Sequence, residues 1–234
     1  MKRILRPIGI GVGLGLFLVL IQHMFDIDQH LLLTLLFLTG AVIILGTLLF
    51  NLLYIRPFRK KVYQQIALLE EGRADECLTQ MESMLKEAQK KKLKQIAQLC
   101  RLNMTAAYCD LKQYDKAMEI LEELSQEKFS DAGQLVFRLN LCACYFYLGQ
   151  QEQALLTYQK SSKLFDLYRK SKTYGGNIAV VTMRTQIAQG QYDQAAELLA
   201  YARTHWNRPR LVEDYQQIEE LLHSAANKPE HPPL

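Results

Sequence analysis

Two long apolar runs near the start of the chain constrain its fold more than any other feature of the sequence. Residues 8–25 are almost entirely apolar, and residues 31–55 form a second run interrupted only by Thr, Gly and one Asn. At about 1.5 Å per residue, helices of about 18 and 25 residues span about 27 and 37 Å, against a hydrocarbon core of about 30 Å. The sequence therefore predicts a membrane anchor over residues 1–57, with two transmembrane helices joined by a short link.

A cleaved signal peptide is the alternative interpretation of the first run. The basic start at Lys2, Arg3 and Arg6 is typical of one. However, residues 22–25 are bulky where a small-x-small cleavage site belongs, and the second run begins about six residues later. A retained helical hairpin is the better prediction.

The basic excess of the chain belongs to this anchor. Residues 1–61 hold seven Lys and Arg and two Asp, so residues 62–234 keep 21 basic and 22 acidic groups of the chain's 28 and 24. A nucleic-acid-binding domain needs a basic face that displaces phosphate counterions. The near-neutral second part therefore argues against nucleic acid as a partner.

The positions of the basic residues also predict the orientation of the anchor. Lys and Arg precede the first run and directly follow the second, whereas the link at residues 26–30 has none. Positive residues favour the cytoplasmic side of a membrane. We expect an integral protein of a bacterial plasma membrane, with both termini and the large second part in the cytoplasm.

Four glycines in the first run lie at helical spacing for close helix contact. Gly9 with Gly13 and Gly11 with Gly15 form two small-xxx-small pairs. Their partner is either the second run of the same chain, which packs the hairpin, or a second copy, which makes the protein a homo-oligomer through this face. Both remain open.

The second part of the chain has a helical pattern. Residues 58–208 contain no proline, and apolar residues recur three apart, as at Met118, Leu121 and Leu124. No alternating strand pattern stands out. The sequence predicts an all-α domain over residues 58–226, with an unstructured tail at 227–234.

Internal similarity divides this domain into repeated helix pairs. Residues 101–108 and 138–145 match closely, and each is followed by a turn and a second helix. A small residue recurs in each second helix, at spacings of 40, 37 and 41 residues. These small residues are Cys77, Ala117, Ala154 and Ala195.

This pattern resembles the tetratricopeptide repeat. The residues that carry the resemblance, and that we expect to pack the repeats, are Ala107, Tyr108, Tyr114, Ala117, Tyr145, Gly149, Ala154, Gly190, Tyr192 and Ala195. The resemblance implies an α-solenoid of about four helix pairs, closed by a capping helix from about residue 211 to 226. The chain departs from the family in its spacing, which exceeds the usual of about 34 residues, and in Lys112, which replaces a turn glycine.

The resemblance also implies a concave groove lined by the first helix of each pair. The groove residues predicted on this basis are Tyr63, Asn103, Cys109, Asn140, Phe146, Arg184 and Ile187. The amides of Asn103 and Asn140 are placed to bind the backbone of an extended peptide. Leu99 and Val136 stand where family members that grip a terminal carboxylate carry lysine, so the groove favours a hydrophobic segment or helix.

Cysteine and histidine give no sign of an active site or a metal site. Cys142 and Cys144 are two apart and face different sides of a helix, and three of the five cysteines fall where the repeat needs small residues. We interpret them as reduced structural thiols rather than metal ligands. The five histidines have no ligand spacing. The sequence predicts no enzyme, no cofactor and no metal.

A lysine run at residues 90–94 is the densest cluster of charge outside the anchor. It is either a solvated connection between helices or a contact with anionic lipid.

Together these features predict a membrane-anchored cytoplasmic repeat protein that binds a protein or peptide in its groove. The leading hypothesis is a scaffold or assembly factor at the membrane. The alternatives are a peptide-responsive regulatory sensor and a non-catalytic subunit of a membrane enzyme or transporter.

Overall fold

The computed structural model describes residues 28–226, and these residues form two compact units that divide between Pro57 and Phe58. Every regular element within the described residues is helical, and no strand occurs among them. The all-α class predicted from apolar spacing is therefore confirmed. The first predicted span at 8–25, its glycines and the tail at 227–234 lie outside the described residues.

The first unit contributes one long apolar helix, α1 (Gln29–Phe50), which continues into a π-helical turn at Asn51–Ile55. Asp28 caps α1, because its Oδ1 accepts the backbone N–H of His30 at 2.6 Å. Most of the large apolar side chains described between Leu31 and Tyr54 are exposed, Phe37 to 77%. Among the described residues, one helical segment, His30–Glu70, is long and apolar enough to cross a membrane, judged by length and composition.

The remaining α-helices follow one another with short connections. They are α2 (Arg56–Glu70), α3 (Ala74–Lys90), α4 (Lys94–Asp110), α5 (Tyr114–Leu124), α6 (Asp131–Tyr147), α7 (Gln151–Tyr168), α8 (Gly175–Ala188), α9 (Tyr192–His205) and α10 (Val212–Ala226), with a 3₁₀ turn at Pro209–Leu211 before α10. From α3 onward each helix packs on the next, and α4, α6 and α8 also contact one another in sequence.

Five of the connections use the same tight turn. In each, one residue with positive φ ends a helix: Gly72, Lys92, Lys112, Gly149 and Gly190, with φ between 56° and 78°. The next amide then bonds back to a carbonyl five residues earlier, as Arg73 does to Leu68 at 2.8 Å. Glycine adopts this conformation without steric cost, so the two lysines are strained here.

Small residues lie where neighbouring helices approach most closely. Ala107, Ala117, Ala154 and Ala195 are completely buried, and so is Cys77. Three apolar clusters lie between the helices: one between α4, α5 and α6 that includes Ala117, one between α6, α7 and α8, and one between α8, α9 and α10 that includes Ala195. Substituting a larger side chain at these positions forces the helices apart.

The tyrosines expected to pack the repeats differ in burial. Tyr108 and Tyr145 are half-buried, whereas Tyr192 is 44% exposed. Tyr114 stacks on the ring of Tyr147, with centroids 4.3 Å apart and planes within 7°.

The turn geometry predicts that Lys92→Gly stabilises the protein. Lys92 is exposed at φ 56°, and relieving a non-glycine residue of this conformation is worth about 1 kcal/mol. The matched control is Lys86→Gly, which removes the same side chain from the exposed interior of α3 and is expected to cost about 1 kcal/mol. Urea unfolding followed by the fluorescence of Trp206 measures both, and loss of stability in both variants would contradict the turn assignment.

Candidate functional site

A polar cavity of about 380 Å³ lies within the second unit, where side chains from six helices converge. Its lining includes Asp75, Cys109, Asp110, Lys112, Tyr114, Asn140, Tyr147, Asn177, Arg184, Arg210, Glu213, Asp214 and Gln217. Cations and carboxylates alternate around it, so the cavity has no single sign of charge. A volume in the range of known ligand sites and convergent polar groups make it the candidate functional site.

Arg184 lies at the centre of one polar cluster in this cavity. Its side chain is 10% exposed, and its guanidinium lies 4.3 Å from the ring centre of Tyr147. Nη2 donates to the Tyr147 hydroxyl at 2.6 Å and to Gln217 Oε1 at 2.8 Å. The Tyr147 hydroxyl donates in turn to Asp214 Oδ1 at 2.8 Å. The buried Nε of Arg184 has no hydrogen-bond partner among residues 28–226.

Arg210 forms a second cluster with carboxylates from two earlier helices. Its Nε and Nη2 donate to both oxygens of Asp110 at 2.8 and 2.9 Å. Glu70 lies 3.7 Å from Arg210 and accepts from Arg208 at 2.8 Å. A bidentate arginine–carboxylate contact fixes geometry as well as charge, so it holds the 3₁₀ turn against the end of α4.

Burial dominates the electrostatics of the cavity. It raises the pKa of Asp110 and of Asp214 above their ordinary values, although an arginine faces each carboxylate. It likewise raises the pKa of Tyr147, and that of Tyr114 to about 12. Both tyrosines therefore stay protonated at neutral pH, and the Tyr147 hydroxyl acts as a hydrogen-bond donor.

Three of the seven predicted groove residues, Cys109, Asn140 and Arg184, line this cavity. Asn103 does not line it: the side chain is 8% exposed and donates to the Leu99 carbonyl at 2.7 Å. Asn140 donates to Thr105 Oγ1 at 2.6 Å. Each asparagine amide thus already holds a partner inside the protein.

The other three groove residues lie outside the cavity lining. Phe146 packs against the apolar cluster between α6, α7 and α8, and Ile187 against the cluster between α8, α9 and α10. Tyr63 is 58% exposed on α2.

The cysteines are free thiols in the helix interfaces. Burial raises the pKa of Cys77 and Cys100 to about 11 and that of Cys142 to about 12, so these thiols are protonated at neutral pH. The sulfurs of Cys109 and Cys144 lie 3.5 Å apart between α4 and α6. Within the described part of the chain, no group of three or more His, Cys, Asp or Glu is placed to hold a metal ion.

The lysine run at residues 90–94 spans the turn between α3 and α4. Lys91 pairs with Glu87 at 2.6 Å, and Lys94 lies 3.4 Å from Glu127. The run therefore connects two helices, and contact with lipid stays a hypothesis.

Sequence reasoning missed most of the residues that form the two clusters. Asp110, Tyr147, Arg210, Asp214 and Gln217 come from four separate elements. The one local signal was in α10, where apolar residues at 211, 215 and 218 leave 214 and 217 on an adjacent face. That spacing shows that a polar stripe exists but not what it contacts.

No protein-family model, curated protein or solved structure matches the chain.

The raised pKa of Asp214 predicts a pH-dependent effect of Asp214→Asn. Ionisation of the buried Asp214 carboxylate lowers the stability of the folded protein. This cost is absent at a pH below the pKa of Asp214 in the unfolded chain, and it is fully present above the raised pKa in the folded protein. Arg184, Tyr147, Arg210 and Glu213 act on this carboxylate. We expect the variant to gain stability relative to the wild type as the pH rises from about 4 to 7. Urea unfolding across this range measures it. If the variant instead loses stability relative to the wild type as the pH rises, the attraction of Arg184 affects the pKa of Asp214 more than burial does.

Proposed function

We propose that this chain is a membrane-anchored cytoplasmic scaffold or assembly factor, whose tetratricopeptide-like repeat domain binds a protein partner in the polar cavity. The polar cavity carries the proposal. It is built from several helices and offers both signs of charge, aromatic faces and hydrogen-bond donors. A polypeptide segment presents the same mixture of groups, whereas a metabolite of one charge complements only part of it.

The exposed apolar surface of α1 supports the membrane anchor. Most of its large apolar side chains are exposed, and Arg59, Lys60 and Lys61 follow shortly after the apolar stretch. Exposure of so many apolar side chains is costly in water and favourable in lipid. We propose that this helix and the run at 8–25 form a hairpin, with the repeat domain on the cytoplasmic side.

The repeated turns and buried small residues support the repeat interpretation. A tight turn with positive φ at five helix ends and an alanine or cysteine at each close contact are what stacked helix pairs require. Tethering such a domain raises the local concentration of its partner at the membrane, which suits a scaffold.

A site-specific photo-crosslinker tests the proposal in native membranes. Replacing Asp75 by a photoreactive phenylalanine places the probe in the cavity lining, at the first turn of α3. The matched control replaces Glu152, an exposed acidic residue in the first turn of α7 that does not line the cavity. We expect a discrete protein adduct from the membrane fraction at position 75 and none at 152, identified by mass spectrometry.

Two outcomes would contradict the proposed function. Absence of an adduct at position 75, or the same adduct from both positions, would mean that the cavity does not hold a protein partner. Recovery of the chain in the soluble fraction would contradict the anchor.

A further inference from the structure

We infer that the final helix α10, whose polar stripe forms one wall of the polar cavity, is a tethered ligand of the surface that α4, α6 and α8 present to it, and that the partner of the proposed scaffold is a helix with the same polar stripe. The inference rests on the proposed function for its partner. Its first half, that the chain's own C-terminal helix covers the surface of α4, α6 and α8, stands on contacts within the second unit alone.

The polar stripe consists of Arg210, Glu213, Asp214 and Gln217, which recur at three- and four-residue spacing. Each member contacts a different part of the helix array. Arg210 binds Asp110 at the end of α4, and Glu213 pairs with Lys112 in the following turn. Asp214 accepts from Tyr147 on α6, and Gln217 accepts from Arg184 on α8. One face of α10 thus forms hydrogen bonds and ion pairs with α4, with the turn after it, with α6 and with α8.

The adjacent, apolar face of α10 accounts for its role as a cap. Leu211, Tyr215 and Ile218 are buried against α8 and α9. A terminal helix needs only such an apolar face and a solvated polar face. Here part of the polar face is instead paired, so α10 covers the last helices and forms one wall of the cavity at the same time.

Occupation by a tethered helix sets the condition for a partner. A segment held on a short connection competes at an effective concentration of about millimolar. A free helix with equal contacts therefore binds the wild-type protein weakly. It binds strongly only when the contacts of α10 are weakened and the groups that face it are left intact.

A labelled peptide of residues 208–226, blocked at both ends, tests this with the full chain in detergent. The variant is Gln217→Ala, which removes from α10 the acceptor of a hydrogen bond from charged Arg184. The matched control is Gln216→Ala, the same change at the exposed neighbouring position of the same helix. Fluorescence anisotropy measures binding, and circular dichroism verifies that both variants keep their helices.

We expect Gln217→Ala to bind the peptide about tenfold more tightly than Gln216→Ala, since a hydrogen bond to a charged group carries about that factor. A peptide with Ala at positions 210 and 214 is expected to bind neither protein. Asp214→Ala, which frees the Tyr147 hydroxyl, is a second variant with the same expected gain. Equal binding by the Gln217 and Gln216 variants, or undiminished binding of the altered peptide, would overturn the inference.

The two proposals fail separately. Peptide binding as expected, together with no adduct at position 75 in either the wild-type protein or the Gln217→Ala variant, keeps the tethered ligand and rejects the scaffold. An adduct at position 75 with no gain in peptide binding keeps the scaffold and rejects the tethered ligand.

Discussion

The ion pair between Arg210 and Asp110 joins residues 100 positions apart in the chain, and both side chains are largely buried. Removing two charges from water is costly, and a bidentate contact offsets that cost only when the geometry is kept. The raised pKa of Asp110 reflects this burial. The bidentate contact therefore ties the 3₁₀ turn, and with it the start of the C-terminal segment, to the end of α4.

The position of α10 follows from this pair and in turn forms the polar cavity. Once Arg210 is bound to the end of α4, the apolar face of the helix meets α8 and α9, and its polar stripe faces α6. Tyr147 then lies between the ring of Tyr114 and the guanidinium of Arg184. The proposed binding surface thus results from the packing of the C-terminal helix on the earlier helices.

Local features of the fold were predictable from the sequence. Helices follow from apolar spacing, and the buried positions of Ala117, Ala154 and Ala195 follow from small residues recurring in similar contexts. The turn conformations were only partly predictable. Lys92 adopts a positive φ, a conformation that favours glycine, and a lysine at this position gives no sign of that conformation.

The site itself was beyond sequence reasoning for a physical reason. In the sequence, Asp110 and Arg210 look like any other charged residues on solvated helix faces. Their contact depends on the relative placement of all the helices between them, which the local sequence does not show. Arg184, Asn140 and Cys109 were predicted because they lie on the helix face that the tetratricopeptide resemblance assigns to a groove. Asn103 shares that face too, but its amide bonds within its own helix.

A double-mutant cycle on Arg210 and Asp110 tests the central claim most directly. The free energy of unfolding of the full chain in detergent is measured for Arg210→Met, for Asp110→Asn and for the double variant. Each single change leaves one buried polar or charged group without its partner, so we expect the double variant to cost less than the two together, with a coupling energy of about 2 kcal/mol or more. Effects that add to within about 0.5 kcal/mol would mean that the two side chains do not meet, and would contradict the placement of the C-terminal helix.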